Sequence, residues 1–532
     1  MAGAAGAGRA GHARGKCVMT RHRSVIHRSI TLRSVSHRAT GVARGPRLVR
    51  LARASALSCA AALAVALAGC AAGPDYQRPA VAAPQAWKID PAYANWHPAE
   101  PSRASLDDAW WTTFGIGELD ELERRVLERN QTLREAAARY DQARAQLSAV
   151  AAARLPDVGV GLAAQRRRIS ANRPLTEYDS PNYSTVQNDF EAGAWLSWEV
   201  DLFGRVRRSV EASVADTEQS ADDLANARLA LTAQLASAYF ALRALDDESG
   251  IVADSIEWQQ KALDFVQQQW KFGQVSELNV LQQQTELDAT RVQLHLLATQ
   301  RSRYEHVIAT LVGEPAPQFS LAPSREAYAL PVLPTGMPSD LLQRRPDVAA
   351  AERAMAAANA RVGVASAAYF PSLVLSPSIG WQSAQFATLA TVPSLVWSLG
   401  GSIGETLFDG GRRVARKRFA SAGYDAAQAR YRASVLTAFQ EVQDAVTGLD
   451  VLAAAAQQSR RAVDDAQRLL TLASARYRNG MVTYLDVIEA QRAALAGERE
   501  AARIRGMQAD TVVRLAKALG GGWQAPQALA VR

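Results

Sequence analysis

WKFGQVSELNVLQQQ, residues 270–284, and YRNGMVTYLDVIEAQ, residues 477–491, are two versions of one segment set 207 positions apart. Gly273 matches Gly480, Val275 matches Val482, Leu278 matches Leu485, Val280 matches Val487 and Gln284 matches Gln491. In each, a glycine stands where a tight reversal between helices wants positive φ. The same offset relates Gly204 and Arg205 to Gly411 and Arg412, whereas Pro156 and Pro371, each closing an Ala-rich helical stretch, lie 215 apart. Self-similarity over this distance means two copies of one structural plan.

Working outward, no proline occurs between Pro181 and Pro315 or between Pro393 and Pro526, so nothing forces a break in a long helix on either side of the reversals. From Leu224 to Trp270, positions stepping by four and three are apolar at eleven of fourteen places, the exceptions being Arg228, Ser249 and Gln259. That is a coiled-coil seam. A helix over 205–272 would be about 100 Å long, and helices near 118–154 and 276–312 about half that. Two half-length helices stacked end to end then match one long one. The second repeat, 338–520, reads the same way, with a half helix, a long helix over 411–479 and a half helix over 483–519; residues 315–337 link the repeats and 521–532 form a tail.

Each repeat also holds two stretches of alternating polarity, 157–166 and 189–200 in the first and 372–382 and 395–407 in the second, near the length a tilted transmembrane strand needs. Pro377 is a blemish, more at home at a bulge or an edge. Four strands cannot close a barrel, and open edges are not tolerated in lipid. The expected fold is therefore mainly α with a membrane β-barrel: a trimer whose four strands per chain make twelve, above a long α-helical coiled-coil barrel and an equatorial mixed region. The stretches 167–188 and 383–394 are suited to the cell exterior.

Charge locates a leader. Residues 1 to 69 hold 12 of the 60 Lys and Arg and none of the 52 Asp and Glu, leaving 48 basic against 52 acidic residues beyond them. The formal charge of +8 thus belongs to the leader, and a nucleic-acid partner is excluded for the remainder. Arginines at 44, 47, 50 and 53, an apolar run from Ala54 to Ala68 and Leu67-Ala68-Gly69 before Cys70 lay out a secretory signal, too short to serve as a span. The triplet before Cys70 resembles a lipoprotein lipobox, which implies covalent diacylglycerol and an N-acyl chain on Cys70 and no other cofactor. The region before Arg44 is long for a signal and points to a start placed too early, Met19 being one alternative. Cys17 and Cys59 fall in the leader, so no disulfide or Cys metal site is expected after cleavage.

Taken together, GPDYQRP at 73–79, Trp110, Trp111 and Phe114, DLFGRVR at 201–207, LLQRRPDVAAAE at 341–352, YFPS at 369–372 and LFDGGRR at 407–413 resemble the TolC/OprM family of outer membrane factors, in the lipoprotein branch serving resistance-nodulation-division pumps. The resemblance implies a homotrimeric exit duct of a tripartite multidrug efflux pump, lipid-anchored in the outer membrane with a large periplasmic portion. Its implied partners are a periplasmic adaptor, an inner-membrane pump and outer-membrane lipid. A duct for type I protein secretion and a pore-free coiled-coil lipoprotein are the competing readings.

By the same resemblance, Gly273, Val275, Ser276, Gly480, Val482 and Thr483 form the tips that meet adaptor hairpins; the plain alternative is a pair of helix caps. Asp486 and Glu489, three apart and on one face, would make stacked carboxylate rings at a periplasmic gate with Leu485, or an ordinary solvated face. Val482 stands where TolC has a gating Arg, and Asn279 where its partner Asp would lie, so a charge-locked gate of that design is not expected. Arg345-Pro346-Asp347 reads as an ordinary helix start. Outside the leader only His97, His295 and His306 remain, none in a catalytic or metal-binding pattern, and no Walker sequence occurs. No catalytic residue and no metal site are expected.

Overall fold

The computed structural model describes residues 72–88, 108–170, 185–333 and 343–524, and every structural statement below concerns these. Cys70, the leader, His97 and the tail beyond Gln524 lie outside them.

The helices are α1 (Gly117–Arg129), α2 (Gln131–Ala152), α3 (Arg205–Lys271), α4 (Glu277–Leu311), α5 (Pro346–Ala367), α6 (Arg412–Arg478) and α7 (Tyr484–Ala518). α3 and α6 are both 67 residues long, α4 and α7 both 35, and α2 and α5 both 22. The repeat seen in the sequence is therefore a repeat of elements, each long helix running about 100 Å. α3 packs against α1, α2, α4, α5 and α7, whereas α6 packs chiefly against α5 and α7.

Both long helices begin at a left-handed glycine, Gly204 or Gly411, and a carboxylate just upstream satisfies their first amides. Asp201 accepts from Val206 N at 3.0 Å and Arg207 N at 2.7 Å. Asp409 accepts from Gly411 N and Arg413 N, both at 3.0 Å. Free N–H groups and the positive end of the dipole favour such anions.

The main core lies where the half-length helices meet. Trp110, Trp111 and Phe114 gather there with Leu119, Leu235, Phe240, Met355, Tyr431 and Val513, all buried. Trp110 and Trp111 pack edge to face with centroids 6.0 Å apart, and the Trp110 indole donates to Thr232 Oγ1 at 3.4 Å. Asn130 caps α2 by accepting from Leu133 N at 3.0 Å while donating to Leu311 O at 2.8 Å, which joins the start of one half helix to the end of another. Arg345, the N-cap of α5, reaches Ala518 O at 3.1 Å, Asp347 at 2.7 Å and Glu441 at 2.6 Å. It is more than a helix start: it ties α5 to the end of α7 and to α6.

The strands correct the sequence-based fold class. Instead of four strands per chain pooled into a twelve-stranded barrel, the described residues form six, β1 (Asp157–Ile169), β2 (Thr185–Val200), β3 (Ser372–Leu375), β4 (Ser378–Ser383), β5 (Leu395–Ser398) and β6 (Gly401–Gly404). They make one antiparallel sheet in the order β5-β4-β2-β3-β6, with β1 also on β2, and it does not close. No described helix is long and apolar enough to cross a membrane. Pro377, which has no amide to give, splits the expected third strand into β3 and β4, though its carbonyl still accepts from Leu196 N at 2.9 Å. The fourth splits opposite, at Leu399 and Gly400, and β6 stops at Gly404 rather than 407.

The segment 72–88 is stitched down. Ala72 N donates to Phe203 O at 3.0 Å, the Arg208 guanidinium reaches Asp75 at 2.7 Å, Asn359 donates to Pro74 O at 3.0 Å and Tyr76 donates to Glu352 at 2.5 Å. The GPDYQRP motif is thus a strap over α3 and α5.

Candidate functional site: the paired hairpin ends

α3 turns into α4 through 272–276, and α6 into α7 through 479–483. Gly273 and Gly480 sit at φ 71° and 70°. Gly273 N donates to Trp270 O and Gln274 N to Gln269 O, both at 2.9 Å; Gly480 N and Met481 N repeat this to Tyr477 O and Arg476 O, both at 2.9 Å. These bonds satisfy the last carbonyls of the long helices, and the left-handed backbone they need is open to glycine without a Cβ penalty. Space is not the constraint, since an added Cβ would meet nothing within 4 Å at either position.

The second turn is capped better than the first. Thr483 is the N-cap of α7, and Asp486 completes a capping box, its carboxylate accepting from Thr483 N at 2.8 Å and Thr483 Oγ1 at 2.5 Å. Those bonds hold the Asp486 carboxyl below the usual range, because they favour its charged form. At the first turn Ser276 is the N-cap and gives its hydroxyl to Asn279 Oδ1 at 3.1 Å, with no side-chain bond to the backbone. Val275 and Val482 are half-buried, whereas Ser276, Thr483, Leu485, Asp486 and Glu489 are exposed. Asp486 and Glu489 share the start of α7, and Asp486 is engaged in the cap.

Beneath the turns a small core of Val266, Ala473, Tyr484, Val487, Ile488 and Ala490 joins the two hairpins. Two tyrosines the sequence reading passed over fasten it: Tyr477 donates to Gln269 at 3.2 Å and Tyr484, its hydroxyl buried and pushed up by desolvation, to Gln283 at 2.7 Å. Farther along, Arg492 meets Glu286 at 2.5 Å and Arg499 meets Glu248 at 2.7 Å. Nothing in local spacing signals these pairs, which join positions more than 200 apart. The outer rim is apolar: Phe272 is 79% exposed and Met481 65%, with Leu278, Leu281 and Leu485 also exposed. No group of His, Cys, Asp and Glu suited to a metal ion occurs among the described residues.

Repeated helical hairpins joined by fixed turns stand beside a sheet that exposes Val158, Val160 and Leu162, so surfaces are the working parts on offer. The family model described as outer membrane efflux protein matches residues 122–314 and 337–521, and the chain belongs to that family. It is a passive channel of the outer membrane and not an enzyme. Among its relatives, the pyoverdine export outer membrane protein OpmQ of Pseudomonas aeruginosa is 32% identical over 86% of this chain and 95% of its own length. The toluene efflux pump outer membrane protein TtgF of Pseudomonas putida is 31% identical over 87% and 96%. The solved outer-membrane channel OprN superposes with a TM-score of 0.77 at 33% identity, over 86% of this chain and all of that one.

Proposed function

We propose that this chain is the exit duct of a tripartite efflux pump whose paired hairpin ends are the surface that a periplasmic adaptor meets. The family carries the efflux role. What supports the docking role is the apolar rim at Phe272, Met481, Leu278 and Leu485, set on turns fixed by Gly273 and Gly480. An exposed apolar helix end suits the groove of a helical partner. An inner-membrane pump is the source of energy, since the chain has no nucleotide motif.

The same reading takes the assembly as a homotrimer. α2 has no buried residue, and α6 keeps its flank away from α5 and α7 open, with Leu436 67% exposed. Two unpartnered flanks on opposite sides of one helical layer suit closure by copies of the same chain. Cys70 carries the lipid anchor in this reading, and Asp486, Glu489 and Leu485 line the periplasmic mouth.

Deleting the chain should raise dye accumulation in cells, and the full chain should restore efflux. Gly480→Phe or Gly273→Phe should abolish restoration while the copies still assemble. Unchanged efflux in those variants would sink the docking role, and unchanged accumulation on deletion would sink the duct.

A further inference from the structure

Between the end of β6 at Gly404 and the third turn of α6 runs LFDGGRRVARKRF, residues 407–419. Leu407, Phe408 and Phe419 are among the most exposed apolar side chains described, at 83% or above. Arg412, Arg416, Lys417 and Arg418 are exposed, and none is in an ion pair with a described residue. Asp409 is held by the helix amides and by Arg413 at 3.0 Å, Glu405 precedes the stretch, and the next acid is Asp425.

The first repeat does the opposite at the same offset. Where α6 has Arg416, Lys417, Arg418 and Phe419, α3 has Ser209, Val210, Glu211 and Ala212, with Val210 and Ala212 buried. The α3 cations are paired, Arg205 with Glu199 at 2.5 Å, Arg207 with Asp201 at 3.6 Å and Arg208 with Asp75 and Glu211, both at 2.7 Å. Cations in a first helical turn lie against the positive end of the dipole; neither long helix has an acid in that turn, but each α3 cation has a partner from elsewhere, whereas at the start of α6 only Arg413 is paired, with Asp409. Cations paired in one repeat and left without an ion pair in the other mark a surface shaped for something outside the chain.

We propose that residues 407–419 form a collar that docks on anionic phospholipid headgroups of the periplasmic leaflet. Arg412, Arg416, Lys417 and Arg418 meet the phosphates, and Leu407, Phe408 and Phe419 enter the boundary between headgroups and acyl chains. Clustered basic residues beside a membrane-associated element attract anionic lipid, and apolar rings flanking basic ones suit the interface. A second copy of this chain is a poorer occupant. The open flank of α2 has its acids already paired, Glu135 with Arg139 at 2.5 Å and Asp141 with Arg144 at 3.7 Å, and just past its end stands another cation, Arg154. The proposal rests on the outer-membrane location but not on the docking of the hairpin ends.

Purified full-length protein in neutral detergent is titrated with phosphatidylglycerol and with phosphatidylcholine, and bound lipid is counted by native mass spectrometry. The wild type should prefer phosphatidylglycerol by about tenfold or more, and the preference should shrink as salt rises. R412Q/R416Q/K417Q/R418Q should lose it while assembling and sustaining efflux, and R412K/R416K/R418K should keep it. Should the fourfold variant fail to fold, R416Q alone should weaken the preference severalfold. No preference in the wild type, or an unchanged one in the Gln variants, overturns the proposal. So does loss of assembly in the Gln variants with lipid preference intact, which would make the collar a contact between copies. An efflux-competent wild type without the preference would refute the collar and leave the channel reading standing.

Discussion

α3 and α6 have the same length and begin at the same kind of capped glycine, yet α3 has 26 buried residues and α6 has eight. The difference lies in position. α3 is covered on several faces and α6 on one side only, so equivalent residues meet opposite surroundings: Leu229 is 8% exposed and Leu436, its counterpart 207 residues on, 67%. Burial also changes what the helix carries. α3 holds Arg243 between Glu118 and Asp246, with Asp246 also reached by Arg301 at 2.6 Å. It also holds Asp222 and Glu248, where α6 has Ala429 and Ala455. A repeat thus fixes backbone geometry while the neighbours of each copy decide its chemistry.

The largest expected contrast is between Leu229→Arg and Leu436→Arg. The first puts an unpaired charge in the core and should cost about 3 to 5 kcal/mol, leaving little folded protein. The second should leave the single chain within about 0.5 kcal/mol of the wild type and abolish assembly, measured by mass photometry in detergent. Equal outcomes would break the comparison.

Glu248→Gln, which leaves Arg499 without its carboxylate, should lower stability by about 2 kcal/mol, read from denaturant unfolding. Ala455→Gln on α6 should be close to neutral.

Asp222 gives a pH signature that Ala429 cannot. Burial raises its carboxyl to about 7, with Arg353 opposing. Because the folded state holds this proton more tightly than the unfolded one, stability falls as pH rises from the ordinary carboxylate value to about 7, and the loss is complete above that. Asp222→Asn should therefore raise Tm at pH 8 and leave it unchanged near pH 3.5. A Tm gain that is the same at both pH values would refute this.

The smallest effect is expected at the turns. The Asp486 carboxyl is held down, so its capping contribution is present above the ordinary carboxylate value and fades as pH falls through the lower folded one. Asp486→Asn would make the second turn resemble the first, where Asn279 stands, and should speed amide exchange at the start of α7 above pH 5 while leaving the first hairpin unchanged.

Much of this was legible in the chain. Leu231, Leu235, Leu242, Val252, Leu263 and Val266 step along the seam and are buried, because helical period and apolar spacing are local properties. Trp270 continues the pattern and is 44% exposed, since the packing partners give out at the turn. The breaks in the second pair of strands were less legible: Pro377 announced one, while its echo at Leu399 and Gly400 depends on the register of β3 with β6 and β4 with β5. At the hairpin ends the glycines and caps were visible and the fastening was not. Tyr484 with Gln283 and Arg499 with Glu248 join residues 201 and 251 positions apart, and only the fold brings them together.

The equal length of α3 and α6 has an evolutionary corollary. Seven residues added to one of them alone would carry its turn about 10 Å past its neighbour and shear every bond between the hairpins. Added to α3, α4, α6 and α7 together, they would keep all faces in phase and simply deepen the duct. Adjusting such a protein to a wider periplasm is thus a matter of coordinated heptads, and relatives of different reach should differ by insertions that come in fours.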